Sequence, residues 1–200
     1  MDVRFQTTFS LALAMALLMA MPAFAHTGAG AAGGLAAGFL HPLSGPDHLL
    51  AMVSVGIWGA QLGAPAIWLL PIAFPLIMAL GGTAGIIGLP LPATELLIAI
   101  SVLVLGVMVA QARRLPLAAA LAIIGVFAIA HGHAHGVELP QSADAVAFST
   151  GFVLATGSLH ALGIAIGLLV KWPRGALAVR CLGSLVAAIG IYFVGAYAVA

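Results

Sequence analysis

Residues Ala130 to Glu138 read A-H-G-H-A-H-G-V-E and set three histidines and a carboxylate at the end of an apolar run that begins near Pro116. Charged residues make up only 6% of the chain and hydrophobic residues 64%, so this cluster needs a physical reason. Ionisable groups at membrane depth are costly and are functional candidates by default. In a helix, His131 and His135 stand four apart and share a face, Glu138 follows three beyond on the same side, and His133 points roughly the other way. Two imidazoles and a carboxylate converging on one side suit a borderline divalent transition metal. A helix end emerging into water is the plainer alternative for this stretch taken alone.

A second constellation, H-P-L-S-G-P-D-H, runs from His41 to His48. Pro42, Gly45 and Pro46 sit poorly in a continuous helix, so a break is expected between His41 and Asp47. A broken membrane helix is tolerated only where it is buried in protein or lines a cavity, and its free ends are ready ion sites. Asp47 and His48 open the second half, where a carboxylate also complements the helix dipole. An isolated anion in an apolar run needs a cation, a metal or a proton. Met52, one turn on, is read as core filler.

Three other residues are secondary metal candidates. Glu95 lies at the outer end of an apolar run, as a ligand or as an interfacial residue. His160 lies within a run, as a ligand or as a hydrogen-bond partner between helices. His26 would become the N-terminal residue after signal cleavage, and its amine and imidazole could chelate one ion. Cys181 is the single cysteine, which excludes an internal disulfide and a cysteine metal cage; it is read as a small packing residue.

These residues must be positioned by membrane helices. Mean hydropathy is +1.24, and apolar runs long enough to span a bilayer recur along the 200 residues. The runs are too long and too continuously apolar for the strands of a barrel. The expected fold is an all-α membrane protein with six transmembrane helices, near 32–61, 66–88, 93–112, 116–136, 144–170 and 176–199, the first broken around Pro42 to Pro46. Residues 1–25 have the features of a cleavable signal peptide: Arg4, an apolar stretch from Phe9 to Met21, and Ala23 and Ala25 at the cleavage positions. Residues 26–200 then form one transporter domain. Arg113, Arg114, Lys171, Arg174 and Arg180 fall between runs three and four or around the start of run six, while Glu95, Glu138 and Asp144 fall at the other end. The positive-inside rule puts the basic end in the cytoplasm and both mature termini outside, as signal cleavage also requires. Both histidine clusters then lie in the outer leaflet. A net charge of +1 gives no reason to expect a nucleic-acid partner.

The two motifs carry a family likeness. H-P-L-S-G-P-D-H-L-L-A-M and H-G-H-A-H-G-V-E resemble the signatures of the HupE/UreJ membrane proteins. The likeness covers essentially the whole chain. His41, Asp47 and His48 match the first motif, and His131, Gly132, Ala134, His135, Gly136 and Glu138 match the second. Ala130 stands where a phenylalanine is usual, and His133 fills a variable position. The resemblance implies uptake of Ni2+ or Co2+ across a bacterial inner membrane in support of hydrogenase or urease maturation, with cytoplasmic nickel chaperones as partners, no permanently bound cofactor and no enzymatic reaction. It implies a metal set of His41, Asp47, His48, His131, His135 and Glu138. Two alternatives stand beside it: a haem-binding electron-transfer protein with axial histidines, and a metal-binding assembly factor that does not transport. An intramembrane metalloprotease is disfavoured, because H-E-x-x-H is absent.

Overall fold

The computed structural model describes residues 31–139 and 144–198. The expected signal peptide and His26 lie outside the described residues. Among the described residues the chain is helical, without strands: α1 Ala31–Ser44, α2 Pro46–Leu62, α3 Ala66–Ile86, α4 Thr94–Gln111, α5 Leu117–Glu138, α6 Ala145–Gly167 with a 3-10 turn at Leu168–Lys171, and α7 Pro173–Ala198. Five of these, α3 to α7, are long and apolar enough to cross a membrane. The chain is therefore a multi-pass membrane protein. The first apolar segment is two shorter helices of 14 and 17 residues.

The interruption falls at Gly45, whose backbone is extended (φ −92°, ψ 109°), with Pro46 as the first residue of α2. Proline is suited there, because its missing N–H is one that a helix start leaves unbonded. Pro42 does not take part in the break as expected, and lies inside α1. Its ring removes only one late amide, two residues before the helix ends. The break also does not turn the chain away. Gly38 lies against Phe148 on one side of it, and Val53 against Gly163 on the other, at the same sequence offset. Thus α1 and α2 both run alongside α6 in the same direction.

Glycine decides where helices touch. A side chain at Gly56 would strike the His160 backbone, and one at Gly163 would strike Val53, so α2 and α6 cross with their backbones in contact. Gly132 and Gly136 on α5 meet Met78 and Gly82 on α3, and Gly106 on α4 meets Ala187 on α7. Small residues permit this approach, and packing is the main attraction between helices in lipid. The core between them holds Met52, Trp58, Leu70, Phe74, Leu105 and Ile124, all essentially inaccessible. Leu76, Leu80, Leu177 and Ile191 face outward, as a lipid-covered surface requires. Cys181 also faces outward and does not pack in the core as expected.

The two ends differ in chemistry. At one end, Trp58 Nε1–H donates to the Arg113 carbonyl (3.1 Å), Gln61 Nε2–H to that of Val109 (3.0 Å), and Arg180 Nε–H to that of Ala110 (2.9 Å). All the described lysines and arginines lie toward this end. At the other end, the Asp144 carboxylate caps α6 by accepting from the amides of Val146 and Ala147 (3.0 and 3.1 Å). The last helix starts at Pro173 and not near residue 176 as expected, again because proline fits a first helical position.

The α6 glycines provide a paired test. Gly163→Ala should destabilise the protein by about 1–3 kcal/mol, since the added carbon meets the backbone of α2. Gly157→Ala on the same helix meets nothing and should stabilise by about 0.5–1 kcal/mol. Unfolding of both variants in one detergent measures the difference; equal effects would refute backbone contact between α2 and α6.

Candidate metal centre

Four histidines from three helices form a continuous chain of rings. His41 on α1 packs on His135 of α5 (ring centres 4.8 Å apart), His135 on His48 of α2 (4.4 Å), and His48 on His131 of α5 (4.8 Å). His48, His131 and His135 are buried, and His131 is fully inaccessible. Phe152 of α6 closes one side against His135 (4.3 Å) and Phe74 of α3 lies against His131 (5.6 Å). The i, i+4 spacing of His131 and His135 puts both rings on one face, where each packs against His48 of α2. The Gly45 break matters here, because it sets His41 and His48 on separate short helices that both reach this face.

The outer layer is made of His41, His135 and Glu138, the one group of three potential ligands among the described residues whose ligand atoms all lie within 4.8 Å of one another. His41 Nε2 is 2.9 Å from His135 Nδ1 and 3.2 Å from Glu138 Oε2, and the latter two are 4.0 Å apart. A point equidistant from three atoms so spaced is about 2.0 Å from each, which matches the usual metal–nitrogen and metal–oxygen distances of about 2.0–2.2 Å. Glu138 is half exposed (53%), so this layer opens to the end of the bundle away from the arginines.

The inner layer is built differently. His48 Nδ1–H donates to Asp47 Oδ1 (3.0 Å), which also accepts the His48 backbone N–H (2.8 Å). His131 Nδ1–H donates to the Phe127 carbonyl one turn earlier (2.8 Å). Both acceptors lack a proton, so each ring is held as the tautomer with a lone pair on Nε2. Those Nε2 atoms, and that of His135, are buried without any hydrogen-bond partner. Buried polar atoms are seldom left so. These are three unpartnered nitrogens on neighbouring rings, each a donor of the kind a borderline cation takes, while the close-set triad remains His41, His135 and Glu138. His135 belongs to both layers, through Nδ1 outward and Nε2 inward. Asp47 orients the His48 ring, the arrangement that carboxylates commonly adopt behind metal-bound histidines.

A cavity of about 120 Å³ adjoins His135, lined by Met78, Gly82, Gly136, Phe148 and Phe152 among others. It can hold a few waters and falls well short of the roughly 300–1,000 Å³ of cofactor pockets.

The remaining candidates separate from this cluster. His133 is buried on the opposite face of α5, where Nε2–H donates to the Leu89 carbonyl (2.7 Å). Glu95 is exposed in the first turn of α4 and is not one of the converging ligands. His160 is buried on α6, with Phe74 between it and His131 (5.7 Å from its ring). Met52 is in the core. Sequence reasoning missed Phe74 and Phe152, because a phenylalanine in an apolar run carries no signal of the ring it will face. It also missed the Pro71 carbonyl that accepts from His160 Nδ1–H (3.1 Å). That acceptor does have a sequence signal: Pro75, four residues on, has no N–H to offer it.

Comparison with known proteins follows the same residues. The family model described as HupE / UreJ protein matches residues 13–193. Among curated proteins, "Protein HupE" of Rhizobium leguminosarum bv. viciae is 43% identical over 173 residues, covering 86% of this chain and 91% of that protein. No solved structure gives a significant match.

Substitution and metal titration test the two layers. Asp47→Ala should weaken Ni2+ binding about 10–100-fold, the usual effect of removing an orienting carboxylate. His131→Ala should weaken it at least as much, and His133→Ala should leave it within about twofold, since His133 ligates nothing in this cluster. Equal losses for His131 and His133, measured by equilibrium dialysis of the purified protein, would rule out the shared face.

Proposed function

The chain belongs to the HupE/UreJ family, and on that premise we propose that it carries Ni2+, with Co2+ as the second substrate, inward across the bacterial inner membrane for hydrogenase or urease maturation. The observation that carries this reading is the set of buried, unpartnered Nε2 atoms on His48, His131 and His135. Two are held as lone pairs by hydrogen bonds at Nδ1. In this reading a hydrated cation enters at His41, Glu138 and His135, loses water there, and passes to the deeper nitrogens.

The chemistry supports transit over storage. Ligation in the outer layer uses an exposed carboxylate and two imidazoles, strong enough to replace water and weak enough to release. The arginine-bearing end would face the cytoplasm and the mature termini the periplasm. The membrane potential then favours entry by about 2.3 kcal/mol per charge per 100 mV. Cytoplasmic nickel chaperones would receive the ion. The small cavity beside His135 offers no support for the haem alternative.

Uptake of radioactive nickel and cobalt into proteoliposomes tests the proposal. An inside-negative potential should drive entry of Ni2+ without any nucleotide, and an imposed proton gradient reports whether protons are coupled. Tight binding with no entry would overturn transport in favour of an assembly factor.

A further inference from the structure

Six side-chain atoms among the described residues are buried without a hydrogen-bond partner, and three belong to the cluster above. Two of the others, Thr156 Oγ1 and His160 Nε2, lie four residues apart on α6 and so share a face. The same stripe begins at Phe152, the residue that packs on His135. His160 is eight residues further along α6, about 12 Å toward the arginine-bearing end. His131 is a single turn from His135, about 6 Å in the same direction. Between His131 and His160 stands Phe74, whose ring lies edge-on to both (5.6 and 5.7 Å).

Both unpartnered atoms are set up by their surroundings. Pro75 cannot donate to the Pro71 carbonyl, and His160 Nδ1–H fills that place. The hydrogen bond fixes the tautomer, leaving a lone pair on Nε2. The backbone contact of Gly56 and Gly163 holds α2 against α6 one turn from this histidine. Thr156 departs from the habit of its own helix. Thr150 and Ser158, on the exposed side, each donate to the carbonyl four residues back (2.7 and 2.8 Å). Thr156 is fully buried and does not. A hydroxyl satisfied only by some other group, one turn from a histidine with a free lone pair, is a paired O/N donor set.

We infer that His160, with Thr156 one turn before it, forms a second, inner transit site for a divalent transition-metal cation, and that Phe74 is the partition between His160 and His131 of the outer imidazole cluster. The inference rests on the transport reading for its direction. The oxygen and single nitrogen would bind more weakly than the outer cluster, as release toward the far side requires. Phe74 separates two sites that would otherwise form one continuous row of ligands. Its ring must swing aside for each passage, so the ion is never shared freely between both ends.

His160→Asn separates the inner site from a merely structural role. The asparagine amide can still donate to the Pro71 carbonyl, while the lone pair at Nε2 is lost. The full-length protein, wild type and variants, is reconstituted in liposomes holding a metal-sensitive dye, and Ni2+ entry is followed. The same preparations are dialysed against Ni2+ to count bound equivalents. His160→Asn should lower the initial rate about tenfold or more while the affinity of the outer cluster stays within about twofold. Wild-type rates in this variant would overturn the inference and leave His160 as a clamp between α3 and α6. If the variant does not fold, Thr156→Val, which keeps the side-chain shape, carries the same decision on the same readout. If the wild type binds Ni2+ without passing it, transport fails and the equivalents decide: one fewer in His160→Asn upholds the inner site, an unchanged count overturns it. A wild type that binds no Ni2+ at all overturns both.

Discussion

A neutral imidazole has one nitrogen that donates and one that accepts, and in the interior of a membrane protein bulk water is not there to satisfy either. Much of this bundle follows from how that constraint is met. His48, His131 and His160 each tie Nδ1–H to an oxygen that can only accept: a carboxylate, a carbonyl of the same helix, and a carbonyl left free by a proline. Each leaves Nε2 buried and unpartnered. His133 is the contrast. Its Nε2 is tied to the Leu89 carbonyl, and it stays apart from the others. Both nitrogens of His133 have partners, since its Nδ1 also lies 3.4 Å from Thr94 Oγ1, whereas the other three rings each keep one nitrogen free.

The helix packing is shaped to the same end. Glycine contacts between α2 and α6, and between α3 and α5, bring backbones into touch. Side chains on the remaining faces are then forced together, which is how rings from α1, α2 and α5 come to lie 4.4–4.8 Å apart. The break at Gly45 serves this without redirecting the chain. It ends one helix just after His41 and starts another just before Asp47, so the carboxylate sits in a first turn where the helix dipole favours it. The same carboxylate accepts two hydrogen bonds from His48. One anion therefore begins a helix and orients a ring.

Aromatic residues supply what the polar groups cannot. Phe152 covers His135 and Phe74 covers both His131 and His160. Apolar walls exclude competing water and so strengthen electrostatic interactions within the cluster. They also divide the polar atoms into layers: an outer layer with an exposed carboxylate, an inner layer of ring nitrogens, and His160 across Phe74 from them.

Read alone, the sequence determined the helical membrane architecture, the interruption of the first segment, and the common face of His131 and His135. Each follows from composition or from spacing within one stretch, where the period of a helix is enough. It also set His133 off that face, for the same reason. What it could not determine is which residues of different helices meet, because relative register is decided by contacts between stretches distant in the chain. Gly56 against Gly163 and Gly132 against Met78 settle that register. Only with it in place do His41, His48 and His135 become neighbours, Glu95 stand apart, and Phe74 come between His131 and His160. The role of Pro42 was misread for a related reason. A proline near a helix end forfeits little, and where that end falls was decided by the extended backbone at Gly45.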